Sequence, residues 1–471
     1  MNKAFQKRMS VLLAMLLLVA LLLPGCQKDR QNSSTLLDST TGKEGKELWV
    51  MVGFFWKINN NGVLSKAVEQ FEKEHPGVTV RCEKPPKDEE TLRQLQTQIM
   101  AGNGPDVYLF FDATSSLFPD PYLAMKNGLF EDISEYYDAD AGLDKDALHA
   151  AVMDAGKIRN KRYILPFRFD FPVAYVDVAQ FEARGGSLEM FDDGILSLYE
   201  QILATGNSGL ATGGSLSYRS AESHLFNFFS DPLDYENEEV LLTEEEVATF
   251  LRAVQAARSA EIGDKYPIDY PYLLGGEGNL SQNPSEFWTD YTCMYIGPLY
   301  DLLHAKVYSE MTGNEIATIP VTAADGALVA DVTQYGAVGY GCEDVELAYE
   351  FLRLFVTENF QTDDFDTRDY GWPVRVKGSV ATMMAIPRNQ SCFVKPRVMY
   401  GTEVPELTDE DIPTLFSEFD RVTFSSYMEY EFYRNVLQSL NDQSTGETLD
   451  VDIDAIAAEF VEDLEWHLAE G

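Results

Sequence analysis

The stretch from Glu47 to Phe111 alternates between two side-chain periodicities, and this alternation restricts the fold more than any other feature of the chain. Glu47-Leu48-Trp49-Val50-Met51-Val52-Gly53 is a strand run, and Phe54-Phe55-Trp56 follows in a turn. Val63, Leu64, Ala67, Val68 and Phe71 recur at helical spacing, predicting a helix over about 63–74 that His75-Pro76-Gly77 stops. Val78 to Cys82 is a second strand. Leu92, Leu95, Ile99 and Met100 mark a second helix over about 89–100, ended by Gly102-Asn103-Gly104-Pro105. Asp106 to Phe111 is a third strand, closed by Asp112. Strand, helix, strand, helix, strand means βαβ units and an α/β fold built on a parallel sheet. Such sheets bind ligands at the carboxyl ends of their strands, which places Phe54, Phe55, Trp56 and Asp112 at one candidate edge.

A second stretch, Tyr163 to Val176, has a different character. Tyr163-Ile164-Leu165 reads as a short apolar strand whose pairing Pro166 ends. Phe167, Phe169 and Phe171 then alternate with Arg168 and Asp170, giving an extended chain with one aromatic and one charged face. Pro172 stiffens the exit, and Val173 starts another strand. Two readings fit: a strand pair within one sheet, or a crossover between two lobes with side chains in the gap.

A chain of 471 residues is long for one core, so more than one core-bearing unit is expected. Lys and Arg number 36 against 77 Asp and Glu, a net charge of −41 that repels phosphates and disfavours nucleic-acid binding. Lys3, Lys7 and Arg8 precede an uncharged apolar run, Val11 to Leu23, too short with these flanks to favour a spanning helix. Leu23-Pro24-Gly25-Cys26 resembles a bacterial lipobox, with Pro24 as its departure from the usual pattern. The resemblance implies that residues 1–25 are a lipoprotein signal peptide and that a lipidated Cys26 anchors the protein to a membrane without spanning it. The alternative is a plain signal peptide containing a cysteine. Residues 26–46 are polar and read as a flexible tether. Cys82, Cys293, Cys342 and Cys392 lack zinc-type spacing and read as separate buried thiols, with a disulfide among them left open.

Further motifs extend the pattern. Phe71 to Val80 is a helix ending in Phe, then His-Pro-Gly, then a strand. Ala101-Gly102-Asn103-Gly104-Pro105-Asp106-Val107, Gly128-Leu129-Phe130-Glu131-Asp132-Ile133, Cys293 to Tyr300, Ile319-Pro320, Tyr335-Gly336-Ala337-Val338 and Ala348 to Gln361 follow in order. In that order and spacing they resemble the extracellular solute-binding proteins of ABC importers, the carbohydrate-binding kind similar to maltose-binding protein. The resemblance covers nearly the whole mature chain. It implies two discontinuous α/β lobes, 47–170 with 334–378 and 171–333 with 379–471, joined by extended crossovers around a ligand cleft. Helices near Tyr430 to Leu440 and Ile453 to Leu468 are visible directly in the periodicity.

A sugar presents apolar C–H faces and a rim of hydroxyls, so its site needs flat aromatic surfaces and groups that donate and accept. Trp56, Trp288 and Trp372 lie in turns or loops and are candidate contacts, with packing at the edge of a core as the alternative. Trp49 and Trp466, inside a strand and a helix, read as core. Asp112 fits a hydroxyl acceptor or a helix cap. Arg168 and Asp170 fit a grip on ligand or a salt bridge to each other. Tyr300 stands near the place where the family carries a Trp, although Leu299 can hold that position instead. Tyr335 opens the second crossover and completes the candidate set.

No nucleophile-elbow, zinc-protease or phosphate-loop motif occurs. Asp363, Asp364, Asp366 and Asp369 lack the glycine of a calcium loop, and neither a metal nor a cofactor is expected. The expectation is a non-enzymatic, monomeric receptor outside the cytoplasm that captures a small solute, a mono- or oligosaccharide, and passes it to a membrane permease. The alternatives are a secreted glycosidase-type lipoprotein, a receptor for a non-sugar solute, and an adhesion or scaffold protein.

Overall fold

The chain from Lys46 to Phe111 folds as its periodicity requires. A computed structural model describes residues 45–53, 62–111, 117–118, 120–205, 210, 232–259, 293–299, 303–362, 372–374, 398–399, 402–403, 421–426 and 452–470. Strand β1 (Lys46–Val52) pairs in parallel with β2 (Val78–Glu83) on one side and β3 (Val107–Phe111) on the other. Helices α1 (Val63–Glu74) and α2 (Glu89–Met100) connect them, at the bounds the sequence predicts. The apolar stripe of α1, Val63, Leu64, Ala67 and Phe71, is buried. At the start of α2 the Asp88 side chain accepts from the Thr91 amide at 2.9 Å and caps the helix. Gly77 and Gly102, with φ of +95° and +70°, make the left-handed turns that end the two helices.

Downstream, β4 (Ile164–Asp170) and β5 (Pro172–Asp177) are separated by Phe171 alone, yet they belong to different sheets. β5 is the centre of an antiparallel sheet with β6 (Met294–Pro298) and β7 (Ile316–Pro320) at its edges. β4 joins the first sheet, whose order is β9-β4-β8-β3-β1-β2, with β8 spanning Leu328–Val338 and β9 Trp372–Pro373. A further strand, β10 (Val422–Ser426), runs parallel to the first part of β8. The chain thus passes twice between sheets: once as extended backbone at Phe171, and once from β7 into β8 through a turn closed by the Ala323 amide donating to the Ala327 carbonyl at 2.8 Å. The crossover reading of Tyr163 to Val176 is the observed one. Every residue of β4, β5 and β8 is buried, as expected for strands covered on both sides.

Pro166 does not end the strand, contrary to the sequence expectation. β4 continues through it to Asp170, because the pairing with β8 slips there: Tyr335 faces Pro166 while Gln334 faces Arg168. Phe167 is the extra residue of the bulge, and a proline without an amide hydrogen is tolerated at such an irregularity.

Helices cover the sheets. α3 (Pro121–Lys126) follows β3, and α4 (Gly194–Ala204) and α5 (Glu244–Ser259) follow β5. α6 (Val345–Arg353) follows β8, and α7 (Ile453–Glu470) is the terminal helix. α7 packs on α5, and its Ile456, Ala457, Phe460 and Leu464 are buried. Trp466 lies off that stripe and is 61% exposed, so it is a surface residue rather than the core residue expected. Cys82, Cys293 and Cys342 are free thiols, while Cys392 and the helix expected near Tyr430 to Leu440 fall outside the described residues. Among the described residues, no helix is long and apolar enough to cross a membrane.

Candidate functional site

The two crossover strands bring together residues that lie far apart in the sequence. Gln334 on β8 pairs with Arg168 of β4 on one side and with Phe111, the last residue of β3, on the other. On the far edge of β4, Pro373 pairs with Arg168 and Trp372 with Phe169. One cross-strand row therefore runs Pro373, Arg168, Gln334, Phe111. It ends where a parallel strand ends, the edge at which α/β sheets take ligands.

Arg168 and Asp170 are two residues apart on an extended strand and share one face. Opposite residues on antiparallel strands also share a face, so Gln334 and Asp331 join them. Asp331 and Gln334 are three apart, and Thr333 is the extra residue that lets both point the same way. The result is a polar face of two carboxylates, one guanidinium and one amide, all buried in the crossovers. Burial pushes the Asp170 carboxyl up from 3.8 to about 7. Among the described residues, no ion pair joins Arg168 to Asp170.

The opposite face is apolar and fixes the crossover in place. Phe167 stacks on Phe355 at 5.1 Å between ring centres, and its carbonyl accepts from Gln361 Nε2 at 3.2 Å and from the Val374 amide at 3.2 Å. Gln361 also donates to the Phe355 carbonyl at 2.6 Å and is itself buried. These bonds satisfy the carbonyl of the bulged residue.

Of the residues singled out in the sequence, Arg168 and Asp170 are brought together with the end of β3, and the backbone of Trp372 lies on the adjoining strand. Tyr335 is placed differently. It pairs with Phe110, its ring lies 4.8 Å from the Phe110 ring, and it is 1% exposed. Its side chain joins the aromatic cluster of Phe110, Phe118 and Phe130 on the other face of the sheet, a core position rather than a ligand contact. The reason is parity: Gln334 points to the polar face, so its neighbour points away. Trp56, Asp112, Trp288, Tyr300 and Cys26 lie outside the described residues, as does the Asp363 to Asp369 cluster. Asp331 and Gln334 are additions that sequence reasoning missed. Their signal was available, since with Thr333 they are the polar residues of the mostly apolar strand Leu328–Val338. Among the described residues, no group of His, Cys, Asp and Glu could hold a metal ion.

Two sheets joined at Phe171, with a buried polar face at the joint, define the class as a two-sheet α/β protein. The sequence pattern of the family described as bacterial extracellular solute-binding protein matches residues 66–381, and the chain belongs to that family. Solved structures agree on the fold. The chain is similar to an extracellular solute-binding protein family 1 member from Alicyclobacillus acidocaldarius, at 13% identity and TM-score 0.53, covering 91% of this chain and 100% of that one. It is similar to a periplasmic oligogalacturonide binding protein from Yersinia enterocolitica, at 15% identity and TM-score 0.55, covering 90% and 99%. A third similar structure is the galacto-N-biose-/lacto-N-biose I-binding protein of the ABC transporter from Bifidobacterium longum, at 14% identity and TM-score 0.56, covering 91% and 99%. Comparison with curated proteins gives no match. The fold is therefore the two-lobed one of periplasmic binding proteins, with extended crossovers between the lobes.

Proposed function

We propose that this protein is the lipid-anchored receptor of an ABC importer, capturing a mono- or oligosaccharide outside the cytoplasm and handing it to a membrane permease. The observation that carries the reading is the buried polar face of the crossovers, Arg168, Asp170, Asp331 and Gln334, at the carboxyl end of β3. Hydroxyl groups both donate and accept, and a set of carboxylate, guanidinium and amide answers both needs. Sugar-binding neighbours in two of the three structures above support a carbohydrate over other solutes.

The lobes are taken as 47–170 with 334–378, and 171–333 with 379–471. The change of sheet at Phe171 supports the first boundary. The second is supported by β8, whose residues Leu328–Asp331 pair with β10 while Gln334–Val338 pair with β3. Trp56, Asp112, Trp288, Tyr300 and Trp372 remain candidate contacts around this face. The cycle needs no covalent chemistry: solute binds the two hinge states unequally and shifts the balance between them. Cys26 is the proposed lipidation site, and the working form a monomer.

Calorimetric titration of the mature protein with a panel of neutral mono- and oligosaccharides tests the reading. Saturable binding of at least one sugar supports it. Turnover of chromogenic glycosides, abolished by replacing a carboxylate, supports the glycosidase alternative instead.

A further inference from the structure

The two lobes, with the boundaries proposed above, touch at a place other than the crossovers. Asp120, just before α3, is a buried carboxylate of lobe one. Its Oδ1 accepts from the Leu123 amide at 3.0 Å and caps α3. Its Oδ2 accepts from the Tyr235 hydroxyl at 2.9 Å and lies 2.6 Å from His467 Nε2. The Tyr235 ring stacks on Tyr122 at 4.9 Å. At the far end of α3, Lys126 has a side chain only 7% exposed, with Nζ 2.9 Å from Glu238 Oε1. The same ammonium donates to the Leu468 carbonyl at 3.2 Å, at the negative end of the α7 dipole. The Arg159 amide, also in lobe one, donates to Glu236.

Every partner on the other side comes from one of two elements. Tyr235, Glu236 and Glu238 lie in the hairpin whose strands are Leu233–Asp234 and Glu239–Val240; His467 and Leu468 lie in the last turns of α7. Both elements belong to lobe two. α7 packs on α5, α5 on α4, and the Ile195 amide at the start of α4 donates to the Thr322 carbonyl between β7 and β8.

A buried carboxylate and a nearly buried ammonium, each satisfied from the opposite lobe, cannot follow a large rotation gradually. Once separated from its partner, each is left buried and uncompensated, or must take up water. Such a contact is either made or broken, which is the property a hinge needs from a bistable element. We propose that Asp120, Lys126, Tyr235 and His467 form an interlobe clasp that holds one hinge state, so that its strength sets the hinge equilibrium and, through it, the apparent affinity for solute. This rests on the two-lobe boundaries, not on the identity of the solute.

The test reads interlobe distance in the solute-free mature protein. Spin labels are attached through bio-orthogonal residues at Glu69 on α1 and Glu310 on the helix Leu303–Thr312, both exposed positions in opposite lobes. Pulsed dipolar spectroscopy then compares the unsubstituted protein with Asp120→Asn, His467→Gln and Tyr235→Phe. The clasp predicts that the mean distance moves by more than about 2 Å, or that a second population appears, in each variant that folds. Tyr235→Phe removes a single hydroxyl, so the test stands even if Asp120→Asn fails to fold. Distributions that superimpose on that of the unsubstituted protein in both His467→Gln and Tyr235→Phe overturn the proposal. Because no solute is present, a failure to bind sugars leaves the result interpretable.

Discussion

Asp331 stands directly opposite Asp170 across the antiparallel pair of crossover strands, and both carboxyl groups are buried. Opposite positions on such strands bring their Cβ atoms within about 5 Å, so two acids share one dry face. A like-charged pair on the crossover strands adds nothing to stability by itself.

Burial holds the Asp170 carboxyl at about 7 in the fold against 3.8 ordinarily, so the native protein keeps a proton that the unfolded chain releases. The contribution of Asp170 to stability is therefore greatest below the unfolded value and is lost as pH rises through the window from about 4 to 7. Asp170→Asn removes this dependence. Its stability relative to the unsubstituted protein should rise across that window, by an amount on the order of a few kcal/mol, and level off above it. Denaturant unfolding of both proteins at several pH values measures the difference; parallel curves would show that Asp170 is not buried in this way.

A second prediction separates binding from folding at Arg168. Arg168→Lys keeps the charge but loses the planar fork that can hold two acceptors at once. Affinity for whichever sugar binds should fall about tenfold or more, the equivalent of roughly 1.4 kcal/mol, with a smaller change in thermal midpoint than Arg168→Ala produces. Unchanged affinity in Arg168→Lys would place this side chain outside the site.

Two glycines should respond unequally to a methyl group. At Gly156 a Cβ would lie 2.1 Å from the Ile164 backbone carbonyl, which cannot move without displacing the start of β4. At Gly336 it would lie 2.6 Å from Leu352 Cδ2 and 2.8 Å from Phe167 Cζ, the far ends of side chains. Gly336→Ala is expected to cost about 1–3 kcal/mol by overpacking, and Gly156→Ala more. Equal thermal midpoints for the two variants would contradict the packing described.

Gln361 offers a test of the bulge. It is buried and donates to the carbonyls of Phe167 and Phe355. Gln361→Ala removes both donors and should destabilise the protein by about 1–3 kcal/mol, the cost of leaving a buried acceptor poorly satisfied. Gln361→Met, of similar shape and likewise without a donor, should be nearly as costly; full recovery in that variant would mean that shape alone matters there.

The sequence made the local elements plain and the joints between them obscure. α1 and α2 were legible to the residue because their apolar stripes are strictly helical and glycine or proline stops follow each. The crossover at Phe171 was legible as one of two options, since phenylalanines alternating with charges report an extended chain but not which sheet each half joins. Pro166 misled because its local rule was outvoted by a bulge set by the partner strand. The role of Tyr335 misled by one residue of parity, for which β8 gave no local warning. Asp331 and Gln334 share a face with Arg168 only through the slip at Thr333, a tertiary fact that no periodicity encodes. Trp466 shows the same limit on a helix: its residue type suggested core, and its phase on α7 decided for the surface.

Whether the crossovers carry a solute site is decided by calorimetric titration of the mature protein beside its Asp331→Asn and Gln334→Ala variants. A solute site there gives saturable sugar binding by the unsubstituted protein that weakens at least tenfold in both variants while their unfolding stays cooperative. Sugar binding of equal strength in all three proteins, or none in any of them across the panel, would contradict it.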